Sequence, residues 1–143
     1  MIFGGINYLA IVIAALAGFG FGAVYYIALS KPWMNAMGWS AEEQTAKTKA
    51  GMGANKTPFV IAIGANLIMA WILAGLIGHL GVDQMTIKNG LISGALCWFG
   101  FVATTLSVNY AFGGRATSLT IIDGGHWLGV LLLMGAVIGA FGS

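Results

Sequence analysis

The sequence predicts an all-α membrane protein: four transmembrane helices in a bundle, with a short amphipathic helix in the first loop. Three observations predict it. The 143 residues are 59% hydrophobic and only 7% charged, whereas a soluble domain carries about 25% charged residues. Such a chain cannot cover its own surface with polar groups, and lipid is the solvent that removes that need. Four runs reach the length of about 20 apolar residues that a bilayer crossing takes. The 23 glycines fit the same class, because helices packing in lipid favour small residues that let backbones approach. With two prolines and no triplet period, collagen is excluded.

The expected spans are 6–29, 57–80, 88–112 and 118–141, within one domain covering 1–143. Lys31-Pro32 stops the first. No Lys or Arg precedes it, and it is too long for the core of a signal peptide, so it is expected to stay as a helix. Pro58 sits in the first turn of the second, where its missing N–H is harmless. Gly113-Gly114-Arg115 ends the third.

Four spans put both termini on one side and the first and third loops on the other. Those loops hold Lys31, Lys47, Lys49, Lys56 and Arg115, against Lys88 alone on the terminal side. Positive residues stay in the cytoplasm, so both termini are expected outside a cell (inner) membrane. The imbalance argues against dual topology. In the loop 30–56, Ser40-Ala41-Glu42-Glu43 is a capping box, Glu43 and Lys47 are spaced for an i,i+4 pair, and Gly51 and Gly53 end the helix. Trp33, Met34, Met37 and Trp39 before it suit the headgroup level. A docking element and a solvated helix lying on the membrane both fit this pattern.

Each span carries a small-residue stripe: Ala10, Ala14, Gly18, Gly22 in the first; Ala62, Asn66, Ala70, Ala74, Gly78 in the second; Gly90, Ser93, Cys97, Gly100, Thr104, Ser107, Ala111 in the third; Gly125, Gly129, Ala136, Gly139, Ala140 in the fourth. They are expected to be packing seams, with Gly100 inside the third and a polar pore lining as its alternative. Phe19-Gly20-Phe21-Gly22-Ala23 is echoed by Phe99-Gly100-Phe101-Val102-Ala103, as two parallel helix hairpins would produce.

Polar groups inside spans are functional candidates because burying them is costly. Asp123 and His126 share a face near the start of the fourth span. One reading makes Thr120 to Asp123 a capping box, with the carboxylate favoured by the helix dipole. The other gathers Tyr25, Tyr26, Asn109, Tyr110, Arg115, Asp123 and His126 into a polar cluster at the cytoplasmic end. There an Arg115–Asp123 ion pair beside a histidine can bind a small anion or pass a proton. Asn66 and Thr104 are the intramembrane polar residues; Asn66 needs a partner across helices or in water. His79 lies at the other membrane face from His126, so the two cannot share a metal. One cysteine, Cys97, allows no internal disulfide and reads as a packing residue. The sequence contains no HExxH, no CxxC and no phosphate-binding glycine loop. No cofactor or metal is therefore expected, and no catalysis. The net charge of +2 makes no patch for nucleic acid.

Four segments carry a family resemblance: Asn7-Tyr8-Leu9-Ala10; Lys31-x-Trp33-Met34-x-x-Met37-Gly38; Gly100-Phe101-Val102-Ala103-Thr104-Thr105-Leu106-x-Val108-Asn109-Tyr110-x-Phe112-x-x-Arg115; and Ile122-Asp123-x-Gly125-His126. Together they resemble a family of small bacterial membrane proteins called domain of unknown function seventeen sixty-one, over essentially the whole chain. The resemblance implies a four-helix membrane protein and supplies no activity. Val24-Tyr25-Tyr26 departs from the family's Trp-Tyr, and His126 stands where an aromatic residue is also common. The leading expectation is a non-enzymatic structural or accessory bundle in the bilayer, forming a homo-oligomer or joining a larger membrane complex. The alternative is an oligomeric small-solute or ion transporter or channel with its polar site at the cytoplasmic end.

Overall fold

A computed structural model describes residues 6–142. Four helices are long and apolar enough to cross a membrane: α1 (Tyr8–Ala28), α4 (Thr57–His79), a third span (Ile87–Phe112) and α7 (Thr117–Phe141). The third span is composite. It begins as α5 (Ile87–Cys97), widens into π-helical turns (Trp98–Ala103) and ends as α6 (Thr104–Phe112). Two short helices, α2 (Ser30–Ala36) and α3 (Ala41–Ala50), fill the first loop. The protein is a helical membrane bundle.

Local chemistry sets the ends. The Asn7 side chain accepts the N–H of Ala10 at 3.2 Å, satisfying an otherwise orphaned donor at the start of α1. Lys31-Pro32 does not stop the helical path. Only Leu29 leaves helical geometry, and Pro32 falls in the first turn of α2, where a proline is tolerated. The capping box of α3 is complete: Ser40 Oγ accepts the Glu43 N–H at 3.2 Å, and Glu43 Oε2 accepts the Ser40 N–H at 2.7 Å. Gly51, at φ +74°, ends that helix in a conformation only glycine adopts cheaply. The expected Glu43–Lys47 pair is not formed: Glu43 is engaged in the box, and Lys47 Nζ lies 5.6 Å from the Trp39 ring centre.

Helix α7 is the centre. It packs against α1 on one side and α5 on another, while α4 packs mainly on α1. Of its most apolar stretch 44% is buried, against 6% for the third span, which therefore lies at the periphery. The core is concentrated in the half near the termini. Ile11, Ala14 and Ala15 of α1 meet Ala70, Leu73, Ala74 and Ile77 of α4 and Val130, Leu131, Met134 and Ile138 of α7.

The small-residue stripes divide. Ala10, Ala14, Gly18 and Gly22 are all buried, as are Asn66, Ala70 and Ala74. A Cβ on Gly90 or Gly135 would strike the other's backbone carbonyl, so α5 and α7 touch backbone to backbone. The lower half of the third stripe is different. Gly100, Thr104 and Ser107 are exposed, and a Cβ on Gly100 would meet nothing within 4 Å. The expected seam there does not exist within the chain. Gly94, which falls outside the expected stripe, is buried against Leu131 instead. The physical reason is the π stretch. Its wider turns shift the register between α5 and α6, so a stripe drawn at uniform helical spacing leaves the interface after Cys97.

Candidate functional site

The polar residues gather at the end of the bundle that carries the basic loops. Asp123 stands in the second turn of α7, which begins at Thr117. It is therefore not the capping residue that the Thr120-to-Asp123 spacing suggested, and it is only 7% exposed. Three donors from three elements converge on its carboxylate. Tyr26 of α1 donates its hydroxyl to Oδ1 at 2.7 Å, and Trp33 of α2 donates its indole N–H to the same oxygen at 3.2 Å. Tyr110 of α6 donates to Oδ2 at 2.7 Å. The two oxygens of a carboxylate accept hydrogen bonds, so three donors suit it.

Two further bonds tie neighbouring helices to the backbone of α7. Tyr25 donates to the carbonyl of Ile122 at 2.9 Å, and Trp98 Nε1 donates to that of Gly124 at 2.8 Å. Trp98 opens the π stretch, and Thr104 at its end returns its hydroxyl to the Gly100 carbonyl at 2.8 Å. Glycines make the close approach possible. A Cβ on Gly125 would stand 2.7 Å from the Tyr25 hydroxyl, and one on Gly129 would strike the Phe21 ring.

The expected Arg115–Asp123 ion pair is absent. Asp123's partners are the two tyrosines and Trp33, while Arg115 is exposed in the loop. A guanidinium there stays hydrated at no cost, whereas reaching a buried carboxylate means losing that water. Asn109 also stays outside, exposed on α6, with Tyr110 next to it turned inward. The structure thus brings together Tyr25, Tyr26, Asp123 and His126 and leaves Asn109 and Arg115 apart. It adds Trp33 and Trp98, which the sequence reading did not place here. Trp33 carried a signal: it follows Tyr26 by two helical turns, and a helical path through Leu29 puts both on one face. Trp98 carried a weaker one, since a buried indole N–H seeks an acceptor.

His126, 7% exposed, lies in an aromatic box. Ring centres of Tyr26 and Trp127 are each 4.7 Å away, that of Tyr25 5.7 Å, and that of Phe21 6.4 Å. Its ring fits against α1 because position 22 is glycine; a Cβ there would come within 2.7 Å of Nε2. Asn66 of α4 is 3% exposed and donates Nδ2 to the carbonyl of Ala62 at 2.8 Å. Asn66 Oδ1 and His126 Nδ1 are buried without a hydrogen-bond partner among the described residues. Both side chains line a cleft of about 540 Å³ between α1 and α4. Thr104 lies on the exposed side of the third span, away from this cleft. Among the described residues no three His, Cys, Asp or Glu side chains come together as a metal site would require.

No curated protein and no solved structure matches the chain. One family model does, over residues 9–139, described as a protein of unknown function (DUF1761). With nearly the whole length matched, from α1 into the last turns of α7, the chain belongs to that family.

Proposed function

We propose that this chain is a non-catalytic bundle of the cell (inner) membrane that works as a homo-oligomer or as an accessory subunit of a larger membrane complex. The observation that carries this reading is the state of Asp123. A carboxylate that attacks a substrate or exchanges protons with water needs an approach path, and Asp123 is only 7% exposed. Its carboxylate receives Tyr26, Trp33 and Tyr110 at once. It acts as a tie that holds α1, α2 and α6 against α7.

Support for assembly comes from the outward stripe Gly100, Thr104 and Ser107, which α7 leaves uncovered and which a second helix can approach closely. Native mass spectrometry in mild detergent tests it. The wild type is expected as an oligomer and Gly100→Leu as a folded monomer. A wild type that is monomeric in every mild detergent, with no co-purifying partner, contradicts the assembly reading.

Both termini are proposed outside and both basic loops in the cytoplasm, on the five-to-one distribution of Lys and Arg. A cysteine at Thr48 is then protected from a membrane-impermeant thiol reagent in intact cells; ready labelling reverses the orientation. A second reading, an oligomeric transporter of a small solute or ion, is favoured by the unpartnered polar atoms of Asn66 and His126. It predicts flux in proteoliposomes that Asn66→Leu abolishes.

A further inference from the structure

We infer that the cleft between α1 and α4 binds a lipophilic ring compound that carries a hydroxyl group. The inference stands apart from the function proposed above, since it needs neither an oligomer nor chemistry at Asp123.

The space has the character of a ligand site. At about 540 Å³ it falls within the roughly 300–1,000 Å³ of small-molecule pockets, which are mostly apolar with a few placed polar groups. Its walls include the rings of Phe19, Tyr26, Phe59 and Trp127, flat surfaces that suit a planar apolar body. Ile61, also in the lining, is 65% exposed, so the cleft opens towards lipid, where an alkyl tail can leave it.

The polar groups decide the ligand's chemistry. Asn66 and His126 are both more than nine-tenths buried, and each has one atom without a partner among the described residues. Native proteins seldom leave such groups unmatched. Nor is their presence incidental to packing, because α1 makes room for them. A Cβ at Gly18 would stand 2.6 Å from Asn66 Oδ1, and one at Gly22 would stand 2.7 Å from His126 Nε2. Gly18 and Gly22 are one helical turn apart on the same face of α1, so the two polar side chains are neighbours along one wall.

Asn66 Oδ1 can only accept, so its partner must be a donor; a neutral imidazole offers one donor and one acceptor. A hydroxyl donates its one proton to the first and accepts from the second in the tautomer that carries the proton on the facing nitrogen. A fatty acyl chain satisfies neither. Both unpartnered atoms now face protein; the broad terminal torsions of Asn and His let the amide and the ring turn towards the cleft, and for Asn66 that turn exchanges the Nδ2 bond to Ala62 for one to the ligand.

The test uses the purified full-length protein in detergent and two probes: a short-chain alkyl hydroquinone and its dimethyl ether, which has the same ring and tail without a donor. Ligand binding to the folded state raises Tm, by more the tighter it binds at a given concentration, and Trp127 in the lining gives a second signal through fluorescence quenching. The hydroquinone is expected to bind about tenfold more tightly than the ether, the size of one well-made hydrogen bond. Asn66→Leu is expected to erase that difference. Ala23 lines the cleft and is exposed, so Ala23→Phe fills the space without disturbing the core. It is expected to remove binding of both probes while leaving the Tm of the free protein unchanged. If Asn66→Leu fails to fold, the Ala23→Phe result and the two-probe comparison on wild type still decide. Equal affinity for the two probes, undiminished binding in Ala23→Phe, or no hydroquinone binding at all would each overturn the inference.

Discussion

The two ends of α7 are held by opposite means. Near the termini, α7 meets α5 with no side chains between them: Gly135 lies on Gly90, and Gly139 lies on the backbone at Thr86. At the basic-loop end, α7 is held by large side chains, with Tyr25, Tyr26, Trp33, Trp98 and Tyr110 all donating to it. Lipid explains why both solutions are used. Helices in hydrocarbon gain little from burying apolar surface, so they associate by close van der Waals contact or by hydrogen bonds that have no water competitor. The first solution tolerates no added atom. The second depends on its donors and acceptor, and the atoms that crowd its glycines belong to side chains and not to backbone. The two ends should therefore fail under different substitutions.

The largest effect is expected at the dry end. Gly135→Leu drives a side chain into a backbone carbonyl that has no rotamer to yield. Overpacking commonly costs about 1–3 kcal/mol and occasionally more, and here the upper end or outright loss of folded protein is expected on size-exclusion chromatography. Gly100→Leu, whose added Cβ meets nothing within the chain, is the control and should still elute as folded protein. Equal damage from both would mean that the α5–α7 contact is no closer than any other.

Next in size is Asp123→Ala. It strands the donors of Tyr26, Tyr110 and Trp33, and an unsatisfied buried polar group costs about 1–3 kcal/mol. A loss of at least about 3 kcal/mol is expected in thermal melts in detergent, with near-ultraviolet circular dichroism showing the tyrosines and tryptophans released. Tyr110→Phe removes one bond and keeps the ring, so a smaller loss of about 1.5 kcal/mol is expected, the upper end for a single hydrogen bond. The smallest effect is expected from Arg115→Gln. An exposed residue outside such features usually contributes within about 0.5 kcal/mol, and no measurable change in Tm should follow.

These expectations also mark what the sequence made legible. The four membrane helices could be read from apolar length, and the α3 cap from Ser40 and Glu43, because both signals are local. The gathering of Tyr25, Tyr26, Asp123 and His126 followed from their common depth. Depth alone did not tell Asn109 from Tyr110: adjacent residues share a depth and differ in the face they present. The π stretch at Trp98–Ala103 has no clear local signature in the sequence, and it moved Gly100 out of the seam. The choice between Arg115 and the tyrosines as partners of Asp123 depended on desolvation, which no spacing rule contains. Trp33 was hidden by reading Lys31-Pro32 as a stop.

Asp123 ties helices together through neutral donors and not through an ion pair. Paired double-mutant cycles on thermal stability test it most directly: Asp123→Asn with Tyr110→Phe, and Asp123→Asn with Arg115→Gln. Residues in contact couple by about 0.5–3 kcal/mol, while independent ones add. Coupling of about 1 kcal/mol or more is expected between Asp123 and Tyr110, and additivity between Asp123 and Arg115. Additivity with Tyr110 together with strong coupling to Arg115 would contradict that arrangement.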